Sequence, residues 1–236
     1  MNKLYLLALA ALPLLASTSQ AAVYSGNGNT GFGGVIDSLN ITDDGTTLTF
    51  VLTRGPASLN DSFVLYIDSV AGGFSDTSGF TDATDSLRGA ISGKGTGGGT
   101  SVATFPSGIT PDHAIGLEAS FSGVWALNNA ANHTFISTAN AAPGGTGQTS
   151  YTMTVTLANL GLTPGAGFSF VGTYLNSGNA FRSNEGIGGG LPGSNPGATN
   201  VTFTSALSYV TIPEPTASSL SLTLGLASLL QRRRRA

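Results

Sequence analysis

From Thr47 to Thr53 the chain sets Leu48, Phe50 and Leu52 against Thr47, Thr49 and Thr53. From Tyr151 to Leu157 it sets Tyr151, Met153, Val155 and Leu157 against Thr152, Thr154 and Thr156. A period of two places one set on a buried face and the other in water, which a strand does and a helix cannot. Val35–Thr42, with Leu39 and Ile41 on one face, leads into Thr47 through Asp43-Asp44-Gly45, a hairpin turn whose glycine tolerates positive φ. Ser62–Asp68 is a continuous apolar run, as expected of a central strand covered on both faces. Ala114–Ser120, Gly123–Leu127, Thr134–Thr138, Phe168–Leu175 and Val201–Thr211 extend the series to eight to ten strands. The chain is therefore expected to be all-β, an antiparallel β-sandwich of jelly-roll-like kind. Thirty-four glycines disfavour long helices. Only Asn159–Leu162 reads as a helical turn. Gly89–Thr100, Asn140–Thr149 and Arg182–Asn200 read as long Gly-rich surface loops.

The two ends differ in character from this body. Lys3, the apolar Leu4–Ala16 and the small-residue site Ser19-Gln20-Ala21 form a secretory signal over residues 1–21, with the cut after Ala21 or after Ala22. Between residues 22 and 212 only Arg54, Arg88, Lys94 and Arg182 are cationic, against eleven acids, so the body carries about −7 where the whole chain carries −3. Such a body repels phosphates, which argues against nucleic acid as a partner and is compatible with neutral glycans and divalent cations. No cysteine is present, so the fold must rest on its core without disulfides.

After Ile212 comes Pro213-Glu214-Pro215, then an uncharged, mostly apolar run from Ala217 to Leu230, then Arg232, Arg233, Arg234 and Arg235. The prolines keep the motif extended. The run is short of the roughly 20 residues of a full membrane span, and the arginines would stay on the cytoplasmic side. A hinge is expected at about residues 209–213, with the body at 22–211 and the tail at 212–236. Short helices are expected in the signal and in the apolar tail. This three-part tail resembles the PEP-CTERM sorting signal of Gram-negative bacteria. The resemblance implies recognition of Pro213, Glu214 and Pro215 by an exosortase, a transient stay in the inner membrane with Arg232–Arg235 as the stop, and a cell-surface or extracellular-matrix destination of the biofilm kind. It covers residues 212–236 and leaves the chemistry of the body open.

Within the body, nucleophilic catalysis finds no ready set. The only histidines are His113 and His133. Asp112 beside His113 is expected to point away from it on a strand, His113 to face solvent at a strand edge, and His133 to lie in a polar loop. Asp76, Asp82 and Asp85 stand in one hydroxyl-rich segment, and their oxygens suit Ca²⁺ or the closing of turns; no other cofactor is expected. Asp68 and Glu118 are the carboxylates that a glycoside hydrolase would need paired. Arg182 and Glu185 are expected to form a local ion pair in a loop. Leu39–Thr53, Asp61–Asp68 and Leu160–Gly165 together resemble the family-9-type carbohydrate-binding modules and their DOMON-like relatives, which implies sugar binding. The aromatic residues near loops are Tyr24, Phe74 and Phe80, while Trp125 reads as core. The expected function is that of a non-enzymatic exported protein that binds extracellular polysaccharide, with a carbohydrate-active hydrolase and a purely structural matrix protein as alternatives.

Overall fold

The computed structural model describes residues 20–213. The expected terminal helices, most of the signal, Glu214, Pro215 and Arg232–Arg235 lie outside the described residues. Thirteen strands are present among them: β1 (Gln20–Ser25), β2 (Ile36–Asp43), β3 (Thr47–Arg54), β4 (Ser62–Asp68), β5 (Ala103–Thr104), β6 (His113–Leu117), β7 (Ser122–Ala126), β8 (Thr134–Asn140), β9 (Ser150–Thr156), β10 (Gly167–Asn176), β11 (Phe181–Ile187), β12 (Val201–Thr202) and β13 (Leu207–Val210). A four-stranded antiparallel sheet runs β1-β2-β3-β9. A larger antiparallel sheet runs β11-β10-β4-β6-β7-β8, with β13 also paired to β10. β5 and β12 form a short parallel pair.

The threonine-apolar alternation does what its period requires. Leu48, Phe50 and Leu52 of β3 and Tyr151, Met153 and Val155 of β9 are buried and pack, with Leu39 and Ile41 of β2, on the inner face of the larger sheet. Asp43-Asp44-Gly45 turns as expected, with Gly45 at φ 88°. β4 is covered on both sides. Phe63, Leu65 and Ile67 face the smaller sheet, and Val64 and Tyr66 face a second cluster formed by a helix, α1 (Ser86–Ser92), and the segments around β5 and β12.

Three sequence expectations change here. The stretch beginning at Gly89 is not wholly loop, because α1 precedes and enters it. Asp85 caps the helix N-terminus by accepting from the Arg88 N–H, Leu87, Ala90 and Ile91 form its buried stripe, and Gly93 ends it at φ 63°. The stretch from Arg182 is not a surface loop, since β11 occupies its first part and is buried almost throughout. The expected hinge at 209–213 is instead fastened. β13 pairs with β10, the Thr211 N–H donates to the Ala166 carbonyl, and the Ile212 N–H donates to the Asp43 carboxylate.

Arg182 and Glu185 do not pair. Residues three apart on a strand point to opposite faces, and each is fully buried on its own side. The Arg182 guanidinium donates to the Ser101 hydroxyl (3.0 Å), the Ser101 carbonyl (2.9 Å) and the Thr173 hydroxyl (2.8 Å); burial lowers its pKa and pushes that of nearby Tyr66 up to about 12. The Glu185 carboxylate accepts four backbone N–H groups, from Phe32 (2.6 Å), Gly34 (3.1 Å), Val35 (2.5 Å) and Ile36 (3.2 Å). Asn184 accepts from Gly31 N–H (2.9 Å), and Asn195 donates to the Gly31 carbonyl (2.7 Å). A Cβ at Gly31 would lie 1.7 Å from the Asn195 side-chain oxygen, so a larger residue there would displace the Asn184 and Asn195 amides from these hydrogen bonds. Replacing Glu185 with alanine orphans the four donors and is expected to destabilise the fold by at least about 3 kcal/mol in urea unfolding. Glu185→Gln, which turns an amide NH₂ toward N–H donors, is also expected to destabilise it, by a smaller amount.

Candidate functional site

β10 spans the larger sheet, and the two ends of the molecule differ. At its Asn176 end a cleft of about 400 Å³ opens between the β4 entry, the β10–β11 turn and the segment held by Glu185. Phe181, at the start of β11, is 41% exposed and stacks on Phe32 at 6.3 Å with an interplanar angle of 20°. Tyr174 supports Phe32 edge-on and is buried. Its hydroxyl accepts the Asp61 N–H at 2.7 Å, and burial raises its pKa.

Polar groups converge on this aromatic pair. Asn176 donates to Asp61 at 2.6 Å and accepts the Gly178 and Asn179 N–H groups, which shapes the β10–β11 turn. The Asn179 side-chain oxygen accepts the Phe181 N–H (3.0 Å) and so orients its amide NH₂. Ser58 and Asn60 complete the rim. Asp61 has its pKa raised, first by desolvation and then by the nearby Glu118 charge, against the hydrogen bond from Asn176. An exposed ring edged by amide, hydroxyl and carboxylate groups can stack on an apolar face and exchange hydrogen bonds with hydroxyls, which are the two halves of sugar recognition.

A second cleft lies on the outer face of the same sheet, beside α1. Its largest ring, Trp125, is 2% exposed, and the Arg88 guanidinium covers it at 5.8 Å from the ring centroid. Its indole N–H has no hydrogen-bond partner among the described residues. The ring is core, as its sequence context suggests, and is not open for stacking. Of the other aromatics near loops, Phe80 is buried, Phe74 packs edge-on against it, and Tyr24 packs on Phe170.

The sequence-selected carboxylates take separate positions. Asp68 and Glu118 sit at opposite ends of β4. β4 pairs antiparallel with β6, and Phe63 faces Leu117 while Ile67 faces His113. Six residue steps separate the two ends, about 20 Å, against roughly 5–10 Å for a glycosidase pair. Asp68 accepts the Thr110 N–H, and Glu118 accepts from the Ser62 and Ser86 hydroxyls, fastening α1 to the sheet.

Asp76 stands apart, while Asp82 and Asp85 both face the Arg88 guanidinium. Asp76 accepts the Ser78 N–H in a turn, Asp82 is buried and accepts from Thr84 and the His133 N–H, and Asp85 caps α1. Burial alone would raise Asp82, but those hydrogen bonds outweigh it and hold its pKa low. Among the described residues no group of three or more acids and histidines is placed to hold a metal ion.

The histidines depart from expectation. Asp112 precedes β6 and is not part of it, so it turns back onto His113. Ser69 reaches the same ring nitrogen, Nδ1, at 3.1 Å. A catalytic triad needs its serine and its acid on different ring nitrogens, so this trio ties the β4 exit to β6. His133 is buried, with the Asn128 N–H donating to Nδ1 and Nε2 against the Ser92 hydroxyl. An Nδ1 that accepts a backbone N–H carries no proton, and burial pushes the pKa from 6.5 down to about 4. The unfolded histidine takes up a proton near pH 6.5 and the folded one only near 4. Its contribution to stability is therefore complete above about pH 6.5 and is lost as pH falls toward about 4. Urea midpoints measured across that window are expected to fall with acidification, with a shallower slope in His133→Gln.

No protein-family model, curated protein or solved structure matches this chain.

Proposed function

We propose that the chain is an exported, non-enzymatic β-sandwich protein, jelly-roll-like in its connections, that binds neutral polysaccharide in the cleft around Phe181. The observation that carries this reading is the exposed Phe181 ring, stacked on Phe32 and edged by Asp61, Asn176 and Asn179. Stacking on a sugar face needs an open ring; Phe181 has that exposure and Trp125 does not, and Phe135, 43% exposed in the second cleft, is edged by the Arg88–Asp85 ion pair and not by amides. The acidic body favours a neutral ligand over an anionic one.

The protein reaches this ligand through the two ends. The signal at 1–21 directs export, and Pro213, Glu214 and Pro215 are the exosortase motif ahead of the apolar run and Arg232–Arg235. Affinity electrophoresis of the exported protein in gels containing neutral polysaccharides tests the binding. Retardation is expected, weakened about ten-fold in Phe181→Ala, equivalent to about 1.4 kcal/mol, and weakened also in Asn179→Ala. A protein that migrates freely in every gel, with and without Ca²⁺, is a structural component and not a binder. For sorting, alanines at positions 213–215 are expected to leave an uncut precursor in the membrane of an exosortase-bearing host; an unchanged mature mass overturns that assignment.

A further inference from the structure

Both ends of the described chain meet at one buried carboxylate. Gln20, the first residue of β1, pairs with Asp43, the last of β2. The Ile212 N–H donates to the Asp43 carboxylate, and the Ile212 carbonyl accepts the Gly165 N–H. Two tyrosines tie the strands together on either side: Tyr209 donates to the Gln20 carbonyl at 3.2 Å, and Tyr24 donates to the Ser208 carbonyl at 2.7 Å. The N-terminal and C-terminal segments therefore leave the body side by side.

They leave it with almost no slack. Ile212 is held, and a Cβ on Gly165 would lie 3.6 Å from Pro213, so the chain hugs the body through Pro213. Four residue steps then lead to Ala217, where the apolar run begins. Fully extended, they span at most about 14 Å. The headgroup layer of one leaflet is itself about 6 Å thick. A membrane that takes up the apolar run must therefore lie close against the Asp43 end of the body.

The same end is suited to an uncharged contact. Val70 and Val210 are 39% and 54% exposed and flank a shallow hollow of about 410 Å³. Asp44 and Asp68 nearby give no attraction to anionic lipid, so the tether and the apolar surface carry the contact. β10 runs from Gly167 at this end to Asn176 at the Phe181 cleft. Nine residue steps at about 3.3 Å separate them by about 30 Å.

We propose that the Asp43 end is the membrane-facing end of the tail-bearing protein, resting on a lipid headgroup surface, and that the Phe181 cleft is presented about 30 Å away from that surface. This rests on the membrane and sorting reading above, and it adds to it the direction in which the cleft points. Either signal cut removes Gln20, so the orientation rests on the Ile212–Asp43 contact and the β10–β13 pairing, which neither cut touches.

The absence of native cysteine allows single-site labelling of the full 236-residue chain. Thr163→Cys labels an exposed site at the Asp43 end, and Ser120→Cys labels an exposed site in the β6–β7 turn, at the far end. Each variant carries a nitroxide and is reconstituted into phosphatidylcholine vesicles that contain a nickel-chelating lipid. The expected result is a several-fold larger nickel-induced relaxation enhancement at position 163 than at position 120. Equal enhancement at both sites, or the larger one at position 120, in protein that floats with the vesicles overturns the orientation and leaves the membrane reading standing. Protein that does not float with vesicles overturns the membrane reading and the orientation together. Glycan retardation by the same labelled chains reports separately on the cleft.

Discussion

The Glu185 carboxylate is the contact on which the arrangement of this molecule depends. It sits on β11, an edge of the larger sheet, and takes up the N–H groups of the segment that leads into β2 of the smaller sheet. Hydrophobic packing brings the two sheets together without fixing their offset, since apolar contact is non-directional. Four directed hydrogen bonds to one buried anion do fix it. They also place Phe32 under Phe181, which makes the cleft a by-product of the same lock. A carboxylate satisfied by backbone dipoles needs no cation, and this frees Arg182 to serve the opposite face of the strand.

How much of this could be read beforehand depends on the range of the interaction. The β2–β3 hairpin, β4 and β9 were legible because a period of two, a turn glycine and an unbroken apolar run are local signals. α1 was hidden because Gly89 and the glycines after it outweighed the spacing of Leu87, Ala90 and Ile91; the Asp85 cap and the Gly93 stop were the signals available to find it. β11 was hidden because a strand carrying Arg182, Ser183, Asn184 and Glu185 has no apolar period. Its burial is supplied by partners about 80 and 150 residues away. β1 was concealed by its overlap with the signal-peptide pattern, which claims Gln20 and Ala21.

The cleft was less legible than the fold. Phe32, Asn60, Asp61 and Phe181 come from three separated segments, and nothing in their local sequence joins them. Residues that looked suggestive by proximity in sequence, such as Asp76, Asp82 and Asp85, are spent on a turn, a buried hydrogen-bond set and a helix cap. Asp82 and Asp85 are near in space but are joined by the Arg88 guanidinium, while Asp112 and His113 met because Asp112 lies outside β6, where strand alternation does not part it from its neighbour.

The Glu185 lock has a kinetic consequence. It reaches back 150 residues to Val35, and Asp43 waits for Ile212, 169 residues later. Contacts so distant in sequence form late, because the loop they close must be ordered first. A chain threaded N-terminus first through a narrow export channel would present β1, β2 and β3 long before either partner emerged. Its early segments would then stay open and unlocked for most of the passage. The topology thus postpones closure of the sandwich until its C-terminal partners arrive.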